Sequence, residues 1–218
     1  MNQSKPNGFL AVPKSGKGDG VLVLHAWWGL NETIKDFCTH LAGEGTTVFA
    51  PDLNNGKLAT TIPEAEALRD ELDWKAAFNE ISAAAVYLQE HCGKPAKDLA
   101  VIGFSLGAFF ALNLSTTDPE RVNKVVVFYG TGPADFAKAK ATYQGHFAEN
   151  DPFEPDSEVY ALEEELKKAG HPTTFYHYPG TGHWFFEPDR VDAFNPEAAK
   201  IAWGRMLSFL QVTSLSRV

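Results

Sequence analysis

The stretch Ala100-Val101-Ile102-Gly103-Phe104-Ser105-Leu106-Gly107-Ala108-Phe109-Phe110 decides the fold. It opens as a buried strand, passes through Gly-x-Ser-x-Gly and enters an apolar helix. A serine with glycine two residues before and two after it can sit on a sharp strand-to-helix turn. Its backbone is strained there, and neighbouring chain must come close. Such a turn lifts the hydroxyl above the sheet and aims the N–H groups of a helix start at whatever the hydroxyl attacks. Gly-x-Ser-x-Gly alone is a weak signal. Asp98-Leu99-Ala100-Val101-Ile102 before it and Ala108-Phe109-Phe110-Ala111-Leu112 after it supply the context the motif requires. The bland alternative is an ordinary strand–turn–helix.

Other apolar runs on either side read as strands: Phe9-Leu10-Ala11-Val12, Val21-Leu22-Val23-Leu24-His25, Thr46-Thr47-Val48-Phe49-Ala50, Lys124-Val125-Val126-Val127-Phe128-Tyr129-Gly130, Tyr143-Gln144-Gly145-His146-Phe147-Ala148 and Thr173-Thr174-Phe175-Tyr176-His177-Tyr178. The turn-rich Pro13–Gly20 segment predicts a hairpin between the first two. It lacks the Gly-Lys-Ser/Thr ending of a phosphate loop. Between strands, apolar residues recur at helical spacing. Asn31 is an expected N-cap for a helix to about Ala42, which Gly43-Glu44-Gly45 stops. Residues 63–91 form a long helical pattern that breaks near Asp73-Trp74, with Ala76, Ala77, Ile81, Ala84, Ala85 and Leu88 inward; Gly93-Lys94-Pro95 ends it. Further helices start at Asp156-Ser157 and run from Pro196 to Leu210. Strands alternating with helices imply a mostly parallel, doubly wound α/β sheet with helices on both faces. No repeat, low-complexity segment or linker divides residues 1–218, so the whole chain reads as one domain.

Composition agrees. The 218 residues are 44 % hydrophobic and 22 % charged, as in a soluble globular protein, and the net charge is −9. That sign argues against nucleic acid or an anionic membrane as partner. The polar start, Met1-Asn2-Gln3-Ser4-Lys5-Pro6-Asn7-Gly8, has no signal-peptide core, and no apolar run reaches membrane length. Cys38 and Cys92 fall in separate helical patterns and read as reduced, buried thiols. A cytoplasmic location follows as the expectation.

In a doubly wound sheet the chemistry lies at the carboxyl ends of the strands. A serine nucleophile needs a histidine base, and the histidine needs an acceptor to hold its tautomer. Of seven histidines, His183 lies just past the last strand in Pro179-Gly180-Thr181-Gly182-His183, where its ring can swing over the strand ends. His25, at another strand end, is its rival. Asp151 directly follows a strand and is the candidate acid; Glu149 is the substitute. The order Ser105, Asp151, His183 is that of an α/β-hydrolase. Two N–H groups are needed for the developing oxyanion. Leu106, after the serine, supplies one, and Trp27, in the loop His25-Ala26-Trp27-Trp28-Gly29, supplies the other. No ligand set for a metal and no dinucleotide fingerprint is present, so no cofactor is expected.

These motifs resemble the dienelactone hydrolase family of the α/β-hydrolase superfamily. The resemblance rests on residues 21–31, 48–53, 101–108 and 147–152 and on Tyr178-Pro179-Gly180-Thr181-Gly182-His183-Trp184-Phe185. It implies a compact hydrolase without a large cap that cleaves small-molecule esters or lactones. The short span from Gly130 to Tyr143 agrees. Two departures matter. The family's prototypes use cysteine with a glutamate near it; the matching positions here are Ser105 and Ala26, so Ser-His-Asp chemistry is the expectation. They also carry an arginine soon after the histidine for a substrate carboxylate; here Phe185, Phe186 and Glu187 follow, and Arg190 comes only later. A neutral or apolar ester fits better, with Trp28, Trp184 and Phe185 as expected substrate contacts. Thioester or peptide cleavage on the same residues, or non-catalytic small-molecule binding, are the alternatives.

Overall fold

The buried runs alternate side by side along one sheet, and that alternation builds the molecule. The computed structural model describes residues 5–93 and 98–211. Lys94 and Pro95, part of the expected helix stop, lie outside the described residues, as do Met1 to Ser4 of the polar start. Seven strands, β1 Gly8–Ala11, β2 Asp19–Leu24, β3 Thr46–Pro51, β4 Leu99–Phe104, β5 Val122–Phe128, β6 Thr142–Asn150 and β7 Thr173–Gly182, form one sheet in the order β1-β3-β2-β4-β5-β6-β7. Every neighbouring pair is parallel except β1 with β3.

Successive strand residues point to opposite faces. Val21, Val23, Ala100, Ile102, Val126 and Phe128 enter one core, with α1 (Glu32–Gly43) and α6 (Pro196–Leu210) over it. Leu22, Leu24, Leu99, Val101, Val125 and Val127 enter the other, under α3 (Trp74–His91), α4 (Leu106–Thr117) and α5 (Asp156–Lys168). The sheet is therefore doubly wound. Each fully buried large side chain, such as Phe110 or Phe128, contributes about 1.5–3 kcal/mol by leaving water. Between β5 and β6 the described chain holds only a three-residue 3-10 turn, Phe136–Lys138, and no cap domain.

Side-chain caps set some of the helix starts, α1 and α6 among them. Asn31 accepts from the Ile34 N–H at 3.0 Å. The break near Asp73-Trp74 separates α2 (Ile62–Asp70) from α3, and Asp73 caps α3 by accepting from the Ala76 N–H. Ala76 itself is exposed rather than inward; the α3 stripe starts at Ala77.

Two further expectations are corrected. The Pro13–Gly20 segment does not close a hairpin, because β1 pairs antiparallel with β3 and not with β2. The last strand does not stop at Tyr178. It runs to Gly182, and Gly182 pairs with Asn150 after a register shift. An edge strand tolerates Pro179 because proline's missing N–H can face away from the sheet. Among the described residues no helix is long and apolar enough to cross a membrane.

Candidate active site

The strand order reverses between β2 and β4. The first crossover goes from β2 to β3 on one side, and the next returns past β2 to β4 on the other. Such a switch point opens a crevice at the carboxyl ends of the two strands. The loop with Trp27 leaves β2 there, and Ser105 leaves β4.

Ser105 has φ 51° and ψ −114°, a conformation that costs a non-glycine residue about 1–3 kcal/mol. The surroundings hold it: its N–H donates to the Phe128 carbonyl at 2.9 Å and its carbonyl accepts from Ala108 at 2.8 Å. Two glycines allow the turn. A Cβ at Gly103 would collide with the Gly107 carbonyl, and one at Gly107 with the carbonyl oxygens of Leu24 and His25. The first turn of α4 is thus seated on the end of β2. Leu106 is the first helical residue, and N–H groups in a first turn have no partner within the helix.

Ser105 Oγ lies 2.9 Å from His183 Nε2. His183 Nδ1 lies 2.9 and 2.7 Å from Asp151 Oδ1 and Oδ2. Both the His183 and Asp151 side chains are 4 % exposed. Asp151 Oδ1 also accepts from the N–H groups of Phe153 and Glu154, at 2.9 and 3.0 Å, which fixes the carboxylate. A carboxylate can only accept from Nδ1, so Nδ1 carries a proton and Nε2 is left to accept from the serine hydroxyl. Ser105, Asp151 and His183, expected from sequence as a set, are brought together in one hydrogen-bonded chain.

The rivals are engaged elsewhere. His25 is buried, with Nδ1 2.7 Å from the Ala26 carbonyl and Nε2 accepting from the Leu53 N–H at 3.2 Å. Burial holds its pKa below the usual histidine value, against the opposing pull of the Ala26 carbonyl and Asp52. It is a neutral brace between the Trp27 loop and the end of β3. Glu149 accepts from the Gly180 N–H at 2.8 Å and ties β6 to β7.

Aromatic rings wall the crevice. Trp27, Trp28 and Trp184 lie with ring centroids 5.0–6.0 Å apart. Phe153 reaches from the Asp151 loop to within 5.8 Å of Trp27, 4.9 Å of Trp184 and 5.1 Å of His183. A groove of about 680 Å³ lined by Trp28, Phe153, His183, Trp184 and Arg190 opens beside them. The Arg190 guanidinium sits 4.2 Å over the Trp28 ring and that of Arg69 5.8 Å over Trp27. Phe185 is corrected. It is fully buried and packs on Tyr129 and Tyr178, so it offers no surface to a ligand. Trp184 at φ 65° swings the chain so that 184 faces the crevice and 185 the core.

Sequence reasoning missed Phe153, Tyr129 and Glu187. Tyr129, at φ 37°, has its ring 5.0 Å from His183, and its hydroxyl donates to Glu187 Oε1 at 2.8 Å. Burial pushes Glu187 up to about 8, although the Tyr129 bond pulls it down. Their 58-residue separation left no local signal; for Phe153 the only cue is its place two residues past Asp151. Among the described residues no three His, Cys, Asp or Glu side chains gather as a metal site would require.

A doubly wound sheet with a strained serine at its switch point defines the class: an α/β hydrolase. The family model of the dienelactone hydrolase family matches residues 7–214, and the chain belongs to that family. It is a hydrolase of that type. A protein of Aquifex aeolicus (strain VF5) named as a carboxymethylenebutenolidase is 31 % identical over 96 % of this chain and 94 % of its own length. A Bradyrhizobium protein named as a 2-oxo-3-(5-oxofuran-2-ylidene)propanoate lactonase is 28 % identical over 93 % of this chain and 88 % of its own. A Klebsiella pneumoniae structure described as a dienelactone hydrolase superposes with a TM-score of 0.82 at 23 % identity. It covers 94 % of this chain and 92 % of that one, and so shares the fold.

Proposed function

We propose that the chain is a single-domain, cytoplasmic serine hydrolase that cleaves small-molecule carboxylic esters or lactones through a covalent acyl-enzyme. The observation that carries this reading is the chain Ser105 Oγ, His183 Nε2, His183 Nδ1, Asp151, with 2.9 Å at its first link.

Ser105 attacks the substrate carbonyl while His183 Nε2 takes the hydroxyl proton. Asp151 keeps the imidazole in the receptive tautomer and stabilises the cation that forms. Negative charge moves to the carbonyl oxygen, where the N–H groups of Leu106 and Trp27 stabilise it. Each such donor is worth roughly 10²–10³-fold in rate. Collapse expels the alkoxide, which takes its proton from His183. In a lactone the alkoxide stays tethered to the acyl group as the ring opens. Water then attacks the acyl-enzyme by the same route and releases the acid and free Ser105.

Phe153 and Trp184 hold the apolar part of the substrate, while Trp28, 2 % exposed beneath the Arg190 guanidinium, backs Trp184. Ala26 stands where the family's prototypes carry a glutamate beside a thiol, so Ser105 relies on His183 alone for activation. Ser105→Ala should lower p-nitrophenyl acetate turnover by about 10⁴-fold or more with the fold retained, because a residue acting as part of the set loses nearly the whole set's effect. Undiminished turnover would sink the assignment. A panel of esters, lactones, thioesters and peptides then ranks the substrate class.

A further inference from the structure

Residues 151–155, between the end of β6 and the start of α5, form neither helix nor strand. A carboxylate carried on such a loop keeps its aim only if the loop is tied down. Glu154 supplies a tie. Its Oε2 accepts from the Thr131 N–H at 3.1 Å and its Oε1 from the Thr131 hydroxyl, while its own N–H donates to Asp151 Oδ1 at 3.0 Å. Thr131 stands just past β5, on a segment pressed against the serine elbow. The Phe128 carbonyl accepts from the Ser105 N–H at 2.9 Å, and a Cβ at Gly130 would fall 2.5 Å from the Ser105 carbonyl oxygen. The contacts close into a circuit. Ser105 leans on residues 128–130, Thr131 holds Glu154, Glu154 holds Asp151, Asp151 holds His183, and His183 returns to Ser105.

Resting on the Ser105 reaction set out above, we propose that Glu154 is a positioning residue for it: Glu154 clasps the Asp151 loop to Thr131 and places a second negative charge where it stabilises the His183 cation of the transition state. It touches neither substrate nor Ser105 and acts through Asp151 and His183. Two bonds from one threonine fix the carboxylate in direction as well as distance, which a lone surface glutamate could not achieve.

The charges around the clasp are few. Glu154 is half-buried, and burial pushes its carboxyl up against the pull of both Thr131 bonds and of His183, with Asp151 adding to the push. His183 is met by Asp151 and Glu154 from the loop after β6 and by Asp189, Arg190 and Asp192 along the groove; Tyr129 lies beside it with its hydroxyl bonded to Glu187. A nearby carboxylate favours the charged imidazole. Removing that charge while keeping the shape should therefore move the acidic limb of kcat/KM to lower pH, an effect that loop anchoring alone would not produce.

The experiment is p-nitrophenyl acetate hydrolysis by the full chain from about pH 5 to pH 9. In Glu154→Gln the amide oxygen can still accept from Thr131 and the amide N–H can donate to its hydroxyl oxygen, so the clasp persists without its charge. That variant should lose about three- to tenfold in kcat, keep KM within about twofold, and show the acidic limb about half a pH unit lower. Glu154→Ala loses both bonds too and should fall about 100-fold in kcat, so glutamine restores most of what alanine removes. Asp156→Asn, an exposed carboxylate at the start of α5 outside the circuit, should change none of these. A second readout does not need turnover: in a Ser105→Ala background, the low-field proton resonance of His183 Nδ1–H should be shifted or broadened by Glu154→Ala. An unmoved limb with wild-type kcat in Glu154→Gln, equal losses in the glutamine and alanine variants, a rise in KM matching the fall in kcat, or an unchanged resonance would each overturn the proposal. If Ser105→Ala stays active, the hydrolase reading fails by itself, and the resonance decides whether Glu154 positions Asp151 and His183. If Glu154→Ala does not fold, the kinetics of Glu154→Gln decide.

Discussion

Replacing Asp151 by asparagine separates geometry from charge in this site. Asp151 Oδ1 accepts from the backbone N–H groups of Phe153 and Glu154 and can do so equally as an amide oxygen. The amide group must then occupy the place of Oδ2, which lies 2.7 Å from His183 Nδ1. An Nδ1–H would still reach Oδ1 at 2.9 Å but would meet the amide N–H at the closer position, so the tautomer with its proton on Nε2, and Nδ1 accepting from the amide, is favoured instead. That proton points at Ser105 Oγ, 2.9 Å away, and the base can no longer accept. In Ser-His-Asp enzymes the wrong tautomer costs about 10⁴-fold in kcat, or about 5.4 kcal/mol at 1.36 kcal/mol per tenfold. Because the loop keeps both backbone bonds, Tm should stay within about 4 °C of the wild type. The assay is steady-state hydrolysis of p-nitrophenyl acetate alongside thermal unfolding by circular dichroism. A folded Asp151→Asn enzyme that loses less than about tenfold would refute the tautomer argument. The matching change at Glu149, which faces Gly180, should leave kcat nearly untouched.

Other outcomes follow from the same geometry. Gly107→Ala drives a methyl into the carbonyl oxygens of Leu24 and His25; the overpacking should cost about 1–3 kcal/mol, lower Tm by several degrees and move the Leu106 N–H, so activity falls with stability. Phe153→Ala removes one wall of the crevice and should raise KM for aryl esters more than it lowers kcat; an equal loss of both would place Phe153 closer to the chemistry. His146 is buried between Tyr178 and Gln144, at 2.7 and 2.9 Å, and burial holds it down to about 3. The unfolded chain binds that proton from about pH 6.5 downward, so its stabilising effect is complete above about pH 6.5 and is lost as pH falls toward 3, at up to about 1.4 kcal/mol per unit. Denaturant unfolding between pH 7 and 4 should show that slope, and His146→Gln should flatten part of it.

Much of the fold could be read because each strand declares both its faces. Val23 and Leu24 are neighbours in sequence and enter opposite cores, which is what an unbroken apolar run in a parallel sheet means. The set Ser105, Asp151 and His183 was legible for a related reason: each stands just past a strand end, and chain order ties them to one another. What escaped reading depends on contacts distant in sequence. Turn chemistry at Pro13–Gly20 says that the chain bends, not that β1 will pair with β3. Pro179 and Gly180 look like breakers, yet an edge strand with a register shift carries both. Phe185 resembles Trp184 in composition, and only the positive φ at 184 sends one to the crevice and the other inward. The Tyr129–Glu187 bond joins the end of β5 to a loop near the end of the chain, and no periodicity encodes it.

The proposed reaction forms a covalent intermediate on the strained serine of the elbow. It is tested most directly by treating the protein with an organophosphonate, measuring intact mass and mapping the labelled peptide. The expected result is one adduct per chain, on Ser105, with activity lost in proportion to labelling and with Ser105→Ala unlabelled. Full activity in a protein stoichiometrically labelled at Ser105, or loss of activity with the adduct on another residue, would contradict it.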